Sequence, residues 1–135
     1  MERYVIDTHA LLWHATADAR IGTYAKAIIE RCEAGEIQII VPAIVLIEAI
    51  SVLRNPRKGF NYSPDTLFEW ITNNPNFLIN DLNLDVARSY NNDLESLRAL
   101  HDDHDRLVVV TSRIFDAAPI LTRAEDISGV AQTIW

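Results

Sequence analysis

Acidic residues stand at three places in this sequence where a carboxylate is unexpected. Asp7 directly follows an apolar run, Glu48 interrupts a second apolar segment, and residues 101–105 contain three more acids. Carboxylate oxygens are the ligands that hard cations such as Mg²⁺ and Mn²⁺ prefer. If these acids converge, they form a site suited to phosphodiester hydrolysis, because such an ion activates a water molecule and stabilises charge on the leaving oxygen.

Each of these acids also has a structural interpretation. Asp7 can cap a helix, which is the more frequent role of a lone Asp after a strand. Glu48 can be a buried carboxylate paired with a cation such as an arginine, and taken alone this interpretation weighs as much as metal binding. The acids of residues 101–105 can complement the dipole of a following helix, although one acid suffices for that role and three repel one another.

Strands and helices are predicted to alternate along the chain, and these elements position the acids. Alternation of this kind implies an α/β fold with a mostly parallel central sheet and helices on both faces. In such sheets ligands bind beyond the carboxyl ends of the strands, where Asp7 is expected. The predicted strands cover residues 4–6, 37–41, 77–79, 118–122 and 131–134. The predicted helices begin near residue 11 and cover residues 24–34, 43–53, 64–73, 83–98 and 107–115, and the apolar helix 43–53 is expected to pack inside the domain.

The size and composition predict an ordinary globular protein. A chain of 135 residues has the size of one compact domain, expected over residues 1–135. Its longest apolar run, residues 37–50, falls short of a membrane helix, and residues 1–7 show no secretory leader. The single Cys32 is typical of a reducing cytoplasm. The net charge of −7 repels polyanions, so any nucleic-acid chemistry must depend on local features.

The strongest resemblance to a known family lies at the start of the chain. Residues 4–13 read YVIDTHALLW and resemble the opening of PIN-domain ribonucleases, specifically the VapC-like toxins of type II toxin–antitoxin systems. Glu48 matches the acid on this family's buried helix. Residues 102–107, DDHDRL, resemble the family signature DPFDRL, so Asp105 corresponds to the third catalytic acid and Asp102 to an accessory acid.

The resemblance departs from the family pattern near the end of the chain. Residues 119–123 are similar to the late strand that precedes the fourth acid of the family, but Ala124 stands where that acid is expected. The nearest candidates are Glu125 and Asp126, of which Asp126 is favoured because some relatives carry an acid just before the next hydrophobic residue. One metal ion and two metal ions are therefore both compatible with the sequence.

The resemblance implies a three-layer α/β/α PIN-like fold and a function. It implies a metal-dependent endoribonuclease that cleaves RNA phosphodiester bonds, with Mg²⁺ or Mn²⁺ held by Asp7, Glu48 and Asp105 as catalytic residues. It also implies a homodimer and a cognate antitoxin as partners. Two alternatives are a catalytically weak PIN-like protein that binds RNA or a partner, and an RNA-processing nuclease that is not a toxin.

Two further features carry weaker functional hypotheses. Residues 54–62 combine basic and aromatic side chains in a predicted loop, so Arg54, Arg57, Lys58 and Tyr62 are candidate contacts for single-stranded RNA, although a solvated connection explains them equally well. His101 and His104 beside acids raise the alternative of a zinc hydrolase, but the sequence lacks the motif of two histidines and a glutamate that zinc proteases carry.

Overall fold

The structure is a computed structural model that describes residues 1–135. Its centre is a sheet of five strands in the order β3-β2-β1-β4-β5, and every neighbouring pair is parallel. The strands are β1 (Arg3–Ile6), β2 (Gln38–Pro42), β3 (Phe77–Asn80), β4 (Ile120–Leu121) and β5 (Thr133–Ile134). The predicted α/β class is thus confirmed, with an entirely parallel sheet flanked by helices.

Seven α-helices and one 3₁₀ turn surround the sheet. The helices are α1 (Thr8–Ala15), α2 (Thr23–Glu33), α3 (Ala43–Leu53), α4 (Pro64–Thr72), α5 (Leu84–Asp93), α6 (Asp103–Ile114) and α7 (Glu125–Ser128), and the 3₁₀ turn is Pro56–Lys58. Side-chain caps begin several of them: the Ser63 hydroxyl accepts from the Thr66 N–H at 3.1 Å, and the Asn83 side-chain carbonyl accepts from the Val86 N–H at 3.0 Å. No helix combines the length and the hydropathy needed to cross a membrane.

The two central strands are buried on both faces. Val5 and Ile6 of β1 and Ile39, Ile40 and Val41 of β2 are all 0% exposed. Parallel strands covered by helices on both sides read as continuous apolar runs, which explains why these segments were recognisable in the sequence. The burial of these two strands fixes where each strand ends, and with that the position of the residues that follow.

Three helix boundaries differ from prediction. Helix α1 begins at Thr8, earlier than expected, because the Asp7 carboxylate accepts a hydrogen bond from the Thr8 N–H at 2.7 Å. Helix α6 begins at Asp103 rather than near residue 107, since Asp102 caps it by accepting from the His104 N–H at 2.7 Å, and Asp103 and Asp105 therefore lie in its first turn. Helix α5 ends at Asp93 rather than near residue 98, and a short helix, α7, lies between the last two predicted strands.

Helix α3 does not pack wholly inside the domain, contrary to prediction. Only Val45, Ala49 and Leu53 are buried on it, a stripe spaced by four residues that faces neighbouring elements. Ile47 is 56% exposed and the Glu48 side chain is 23% exposed. The helix is therefore apolar on a side that the chain itself leaves uncovered, and Glu48 is a partly exposed carboxylate rather than a buried one.

Candidate active site

The candidate site lies at the carboxyl edge of the sheet, where strand order changes direction between β1 and β4. Asp7 follows β1 and Thr122 follows β4, and the two strands are paired through Ile6 and Leu121. The Thr122 hydroxyl donates to Asp7 Oδ2 at 2.7 Å, while the Thr8 N–H donates to Asp7 Oδ1. Both oxygens of the carboxylate are thereby oriented. This is the crevice in which open parallel sheets place ligands.

The environment of Asp7 opposes its ionisation. Burial raises the pKa of the Asp7 carboxyl, the hydrogen bonds from Thr122 and Thr8 act in the opposite direction, and the negative charge of Glu48 raises the pKa further. Glu48 therefore lies within electrostatic reach of Asp7, although α3 and β1 are separate elements. Sequence reasoning missed Thr122; the available signal was a hydroxyl residue placed directly after a strand that ends at the same edge.

Glu48 is held by a histidine. Glu48 Oε2 on α3 forms a hydrogen bond with His104 Nδ1 on α6, so the partner is neither the arginine of the structural interpretation nor a zinc-type ligand set. This hydrogen bond is the main reason why the pKa of His104 is raised. Partial burial lowers that pKa, and the charges of Glu48, Asp102 and Asp105 raise it further. A protonated His104 thus balances one of the negative charges at this edge.

Asp105 receives the combined effect of the other acids. It lies in the first turn of α6, and burial followed by the charges of Asp7, Asp102, Glu48 and Asp126 raises its pKa to about 6. The carboxylates that act on Asp105 therefore come from the end of β1, from α3, from the start of α6 and from α7. The charge of Asp126, on α7, is among those that act on Asp105.

The chemistry of this acidic cluster, Asp7, Glu48, Asp105 and the nearby Asp102 and Asp126, fits a hard divalent cation. Its donors are carboxylate oxygens, and no arginine or lysine forms an ion pair with any of them. In the present side-chain arrangement, however, no three His, Cys, Asp or Glu side chains lie close enough together to hold a metal ion. Joint coordination therefore requires these side chains to rearrange, and Oε2 of Glu48 is engaged by His104.

Asp105→Asn should raise the stability of the metal-free protein. The pKa of Asp105 in the folded chain is about 6 against an ordinary value of 3.8. The folded chain therefore holds this proton more tightly than the unfolded chain does, and the ionised carboxylate lowers stability as the pH rises from about 4 to above about 6. Because Asp105 is partly exposed, we expect a gain of about 1–2 kcal/mol at about pH 7.5, measured by urea unfolding in EDTA.

The gain from Asp105→Asn should shrink at about pH 4, where the parent carboxyl is protonated in the folded chain. Asp65→Asn, at an exposed acid in the first turn of α4, serves as the control and should not stabilise at either pH. A loss of stability in Asp105→Asn at about pH 7.5 would mean that this carboxylate supports the fold instead of being destabilised by its neighbours.

Of the predicted RNA-contact residues, Lys58 and Tyr62 line two different pockets, and Arg54 and Arg57 line neither of them. Arg54 and Arg57 are exposed, Lys58 lines a pocket that also contains Asp7, and Tyr62 packs partly against the core beside a different depression. Burial raises the pKa of the Tyr62 hydroxyl. Of the four residues, Lys58 is the one that the fold places next to the acidic cluster.

Two solved structures share this fold. A chain of VapBC2 from Rickettsia felis, solved bound to a DNA fragment from its promoter, is 14% identical with a TM-score of 0.67, over 98% of this chain and 97% of that chain. VapC20 from Mycobacterium tuberculosis, a toxin that cleaves the sarcin-ricin loop, is 17% identical with a TM-score of 0.61, over 93% of both chains. No protein-family model and no curated protein matches the sequence. At these identities the likeness shows the fold, and this is the fold that the sequence resemblance implied.

Proposed function

We propose that this chain is a metal-dependent endoribonuclease that cleaves RNA phosphodiester bonds and acts as the toxin of a toxin–antitoxin pair. The observation that carries the proposal is the gathering of three acids at the switch point of the sheet, where the charge of Glu48 raises the pKa of Asp7 and the charges of Asp7 and Glu48 raise the pKa of Asp105. The likeness of the fold to two VapC structures, one of them an RNA-cleaving toxin, supports the same conclusion.

In the proposed mechanism Asp7, Glu48 and Asp105 hold Mg²⁺ or Mn²⁺, with Asp102 and Asp126 as accessory acids. The bound ion supplies an activated water and stabilises charge on the leaving oxygen. Thr122 and Thr8 fix the orientation of the Asp7 carboxylate, which is the task of residues around a metal ligand.

His104 and Asp105 set the protonation state that this mechanism requires. His104 restrains Glu48 and carries a proton more readily than an ordinary histidine because of that contact. Asp105 must lose its proton before its oxygens become strong ligands, and its pKa of about 6 allows this near neutral pH. No side chain of the cluster needs to form a covalent bond to RNA.

A homodimer and an antitoxin are the partners we propose. Exposed apolar side chains support a protein-binding role: Ile47 on α3 is 56% exposed and Leu84 at the start of α5 is 62% exposed. The Rickettsia felis structure was solved as VapBC2. An antitoxin would bind the toxin and block RNA cleavage until the toxin is released. We place this protein in the cytoplasm, where such a pair would act.

Ala124 favours one alternative function, a catalytically weak protein that binds RNA or a partner. It stands where the family resemblance places a fourth acid, and Asp126, though near, is an exposed residue on α7. A cluster with fewer ligands binds a cation less tightly. Cleavage activity separates this alternative from the proposed function.

A cleavage assay tests the proposed function. Purified protein should cut structured or single-stranded RNA in Mg²⁺ or Mn²⁺ and should leave it intact in EDTA, with activity restored when metal is returned. Cleavage that persists in EDTA would reject metal dependence. Intact RNA under every metal condition would reject the enzyme and leave the binding protein as the better account.

A further inference from the structure

A pocket of about 350 Å³ opens beside the acidic cluster and shares Asp7 with it. Its walls come from α1, the segment after α1, the 3₁₀ turn and the residues that follow β4. Asp7 is the only carboxylate in the lining. Besides Asp7, the basic and aromatic residues of the lining are His9, Trp13, Arg20, Lys58, Phe60 and Arg123. A protein with a net charge of −7 thus places three cationic side chains around one cavity.

Two of the three cations are free to bind a ligand. The Arg20 guanidinium is held by the Asp18 carboxylate at 2.8 and 3.0 Å. Lys58 and Arg123 take part in no ion pair of the structure. Free cations around a concave surface favour an anion that can accept several hydrogen bonds, and a phosphate is such an anion.

The aromatic residues of the pocket orient two of its cations and leave one ring for a ligand. The Arg123 guanidinium lies 4.6 Å and the Arg20 guanidinium 4.9 Å from the centre of the Trp13 ring. Cation–π attraction therefore holds Arg123 in the wall. Trp13 is 3% exposed and its buried Nε1 has no hydrogen-bond partner. Phe60 is only partly buried, so its ring provides a surface on which a nucleobase can stack.

Ala124 keeps this pocket positive. It lines the same cavity, between Arg123 and α7, at the position where the family resemblance places an acid. A carboxylate there would put a second negative charge into the wall beside Asp7. Because residue 124 is alanine, no second carboxylate neutralises the cations of the pocket. The departure from the family pattern at this position therefore explains the positive charge of the pocket.

We propose that this pocket is the subsite for one nucleotide of single-stranded RNA next to the bond that is cut, with Lys58 and Arg123 binding its phosphate and Phe60 contacting its base. The inference rests on the proposed ribonuclease function and names the residues that hold the strand. The cavity is at the lower end of the ligand-pocket range of about 300–1,000 Å³, which suits one nucleotide. Its position beside Asp7 favours RNA over an acidic protein segment.

RNA binding in EDTA tests this subsite without any cleavage. Fluorescence anisotropy of a short labelled single-stranded RNA should show that Lys58→Ala and Arg123→Gln each raise Kd about tenfold. Each substitution should also reduce the slope of log affinity against log salt by about 0.7, the value for one lost phosphate contact on a single strand. The controls Lys26→Ala on α2 and Arg88→Gln on α5, both exposed and outside the pocket, should bind like the parent.

The pair Ala124→Asp and Ala124→Asn isolates the effect of charge. Residue 124 caps α7 without a side-chain hydrogen bond, and both Asp and Asn are good caps, so both variants should fold. Ala124→Asp should raise the RNA Kd about tenfold, and Ala124→Asn should leave it near that of the parent.

Three results would overturn the subsite. The first is an unchanged RNA Kd in both Lys58→Ala and Arg123→Gln. The second is equal RNA binding by Ala124→Asp and Ala124→Asn. The third is that an acidic peptide, and not RNA, loses affinity in the Lys58 and Arg123 variants, which would make the pocket a protein-binding site. Failure of the parent to cut RNA in Mn²⁺ rejects the proposed function instead, and the EDTA measurement still decides the subsite.

Discussion

Asp7→Asn should lower the rate of metal-dependent RNA cleavage by at least about 100-fold, a larger loss than the roughly 10–100-fold typical of residues that only orient a metal ligand. The substitution removes the charge and keeps the shape of the side chain. The introduced amide group can still accept from the Thr8 N–H and pair with the Thr122 hydroxyl, so α1 should remain capped. The measurement is the initial rate of RNA cleavage in Mn²⁺.

Two comparison variants control for the effect of Asp7→Asn on cleavage. Asp65→Asn changes an exposed acid on α4 and should cleave like the parent. Thr122→Val removes only the hydroxyl that orients Asp7, so its activity should fall between the two. In cells, expression of the parent should arrest growth and Asp7→Asn should not. Equal cleavage by the parent and Asp7→Asn would remove Asp7 from the reaction.

The affinity for Mn²⁺ should fall more than tenfold between about pH 7.5 and about pH 5, because the ligands must release protons before they bind the ion. The pKa of Asp105 is about 6, so below that value each pH unit should cost about a factor of ten in affinity. The raised pKa of His104 acts in the same direction, since protonated His104 holds Glu48. Calorimetric titration of Mn²⁺ at several pH values measures this dependence.

His104→Gln serves as the control for the contribution of the histidine. Without the imidazolium, Glu48 is free earlier in the titration, so the variant should bind Mn²⁺ more tightly than the parent near pH 6 and show a shallower pH dependence. An affinity that does not change between about pH 5 and about pH 7.5 would mean that neither Asp105 nor Glu48 takes up the ion.

Much of the fold could be predicted from local sequence. The apolar runs of β1 and β2 and the cap residues Ser63 and Asn83 identify elements that the structure contains. The exposure of one apolar face of α3 could not be predicted. The sequence of an apolar helix is the same whether that face packs against the rest of the chain or is left uncovered. The early start of α6 depends on one hydrogen bond from the His104 N–H to Asp102.

The candidate site was predictable in its acids and not in their partners. Asp7 could be identified from its place after a strand, and Glu48 from its isolation among apolar residues. Their partners Thr122 and His104 come from distant parts of the chain, 115 and 56 residues away. Those contacts depend on β4 pairing with β1 and on α6 packing against α3, which no local pattern encodes.

The central claim is that Asp7, Glu48 and Asp105 bind one divalent ion, and calorimetric titration of Mn²⁺ at about pH 7.5 tests it most directly. We predict that Asp7→Asn, Glu48→Gln and Asp105→Asn each weaken binding at least about tenfold, while Asp65→Asn binds like the parent. If two of the three variants bind Mn²⁺ as tightly as the parent, the acids do not share an ion and the proposed reaction has no metal site.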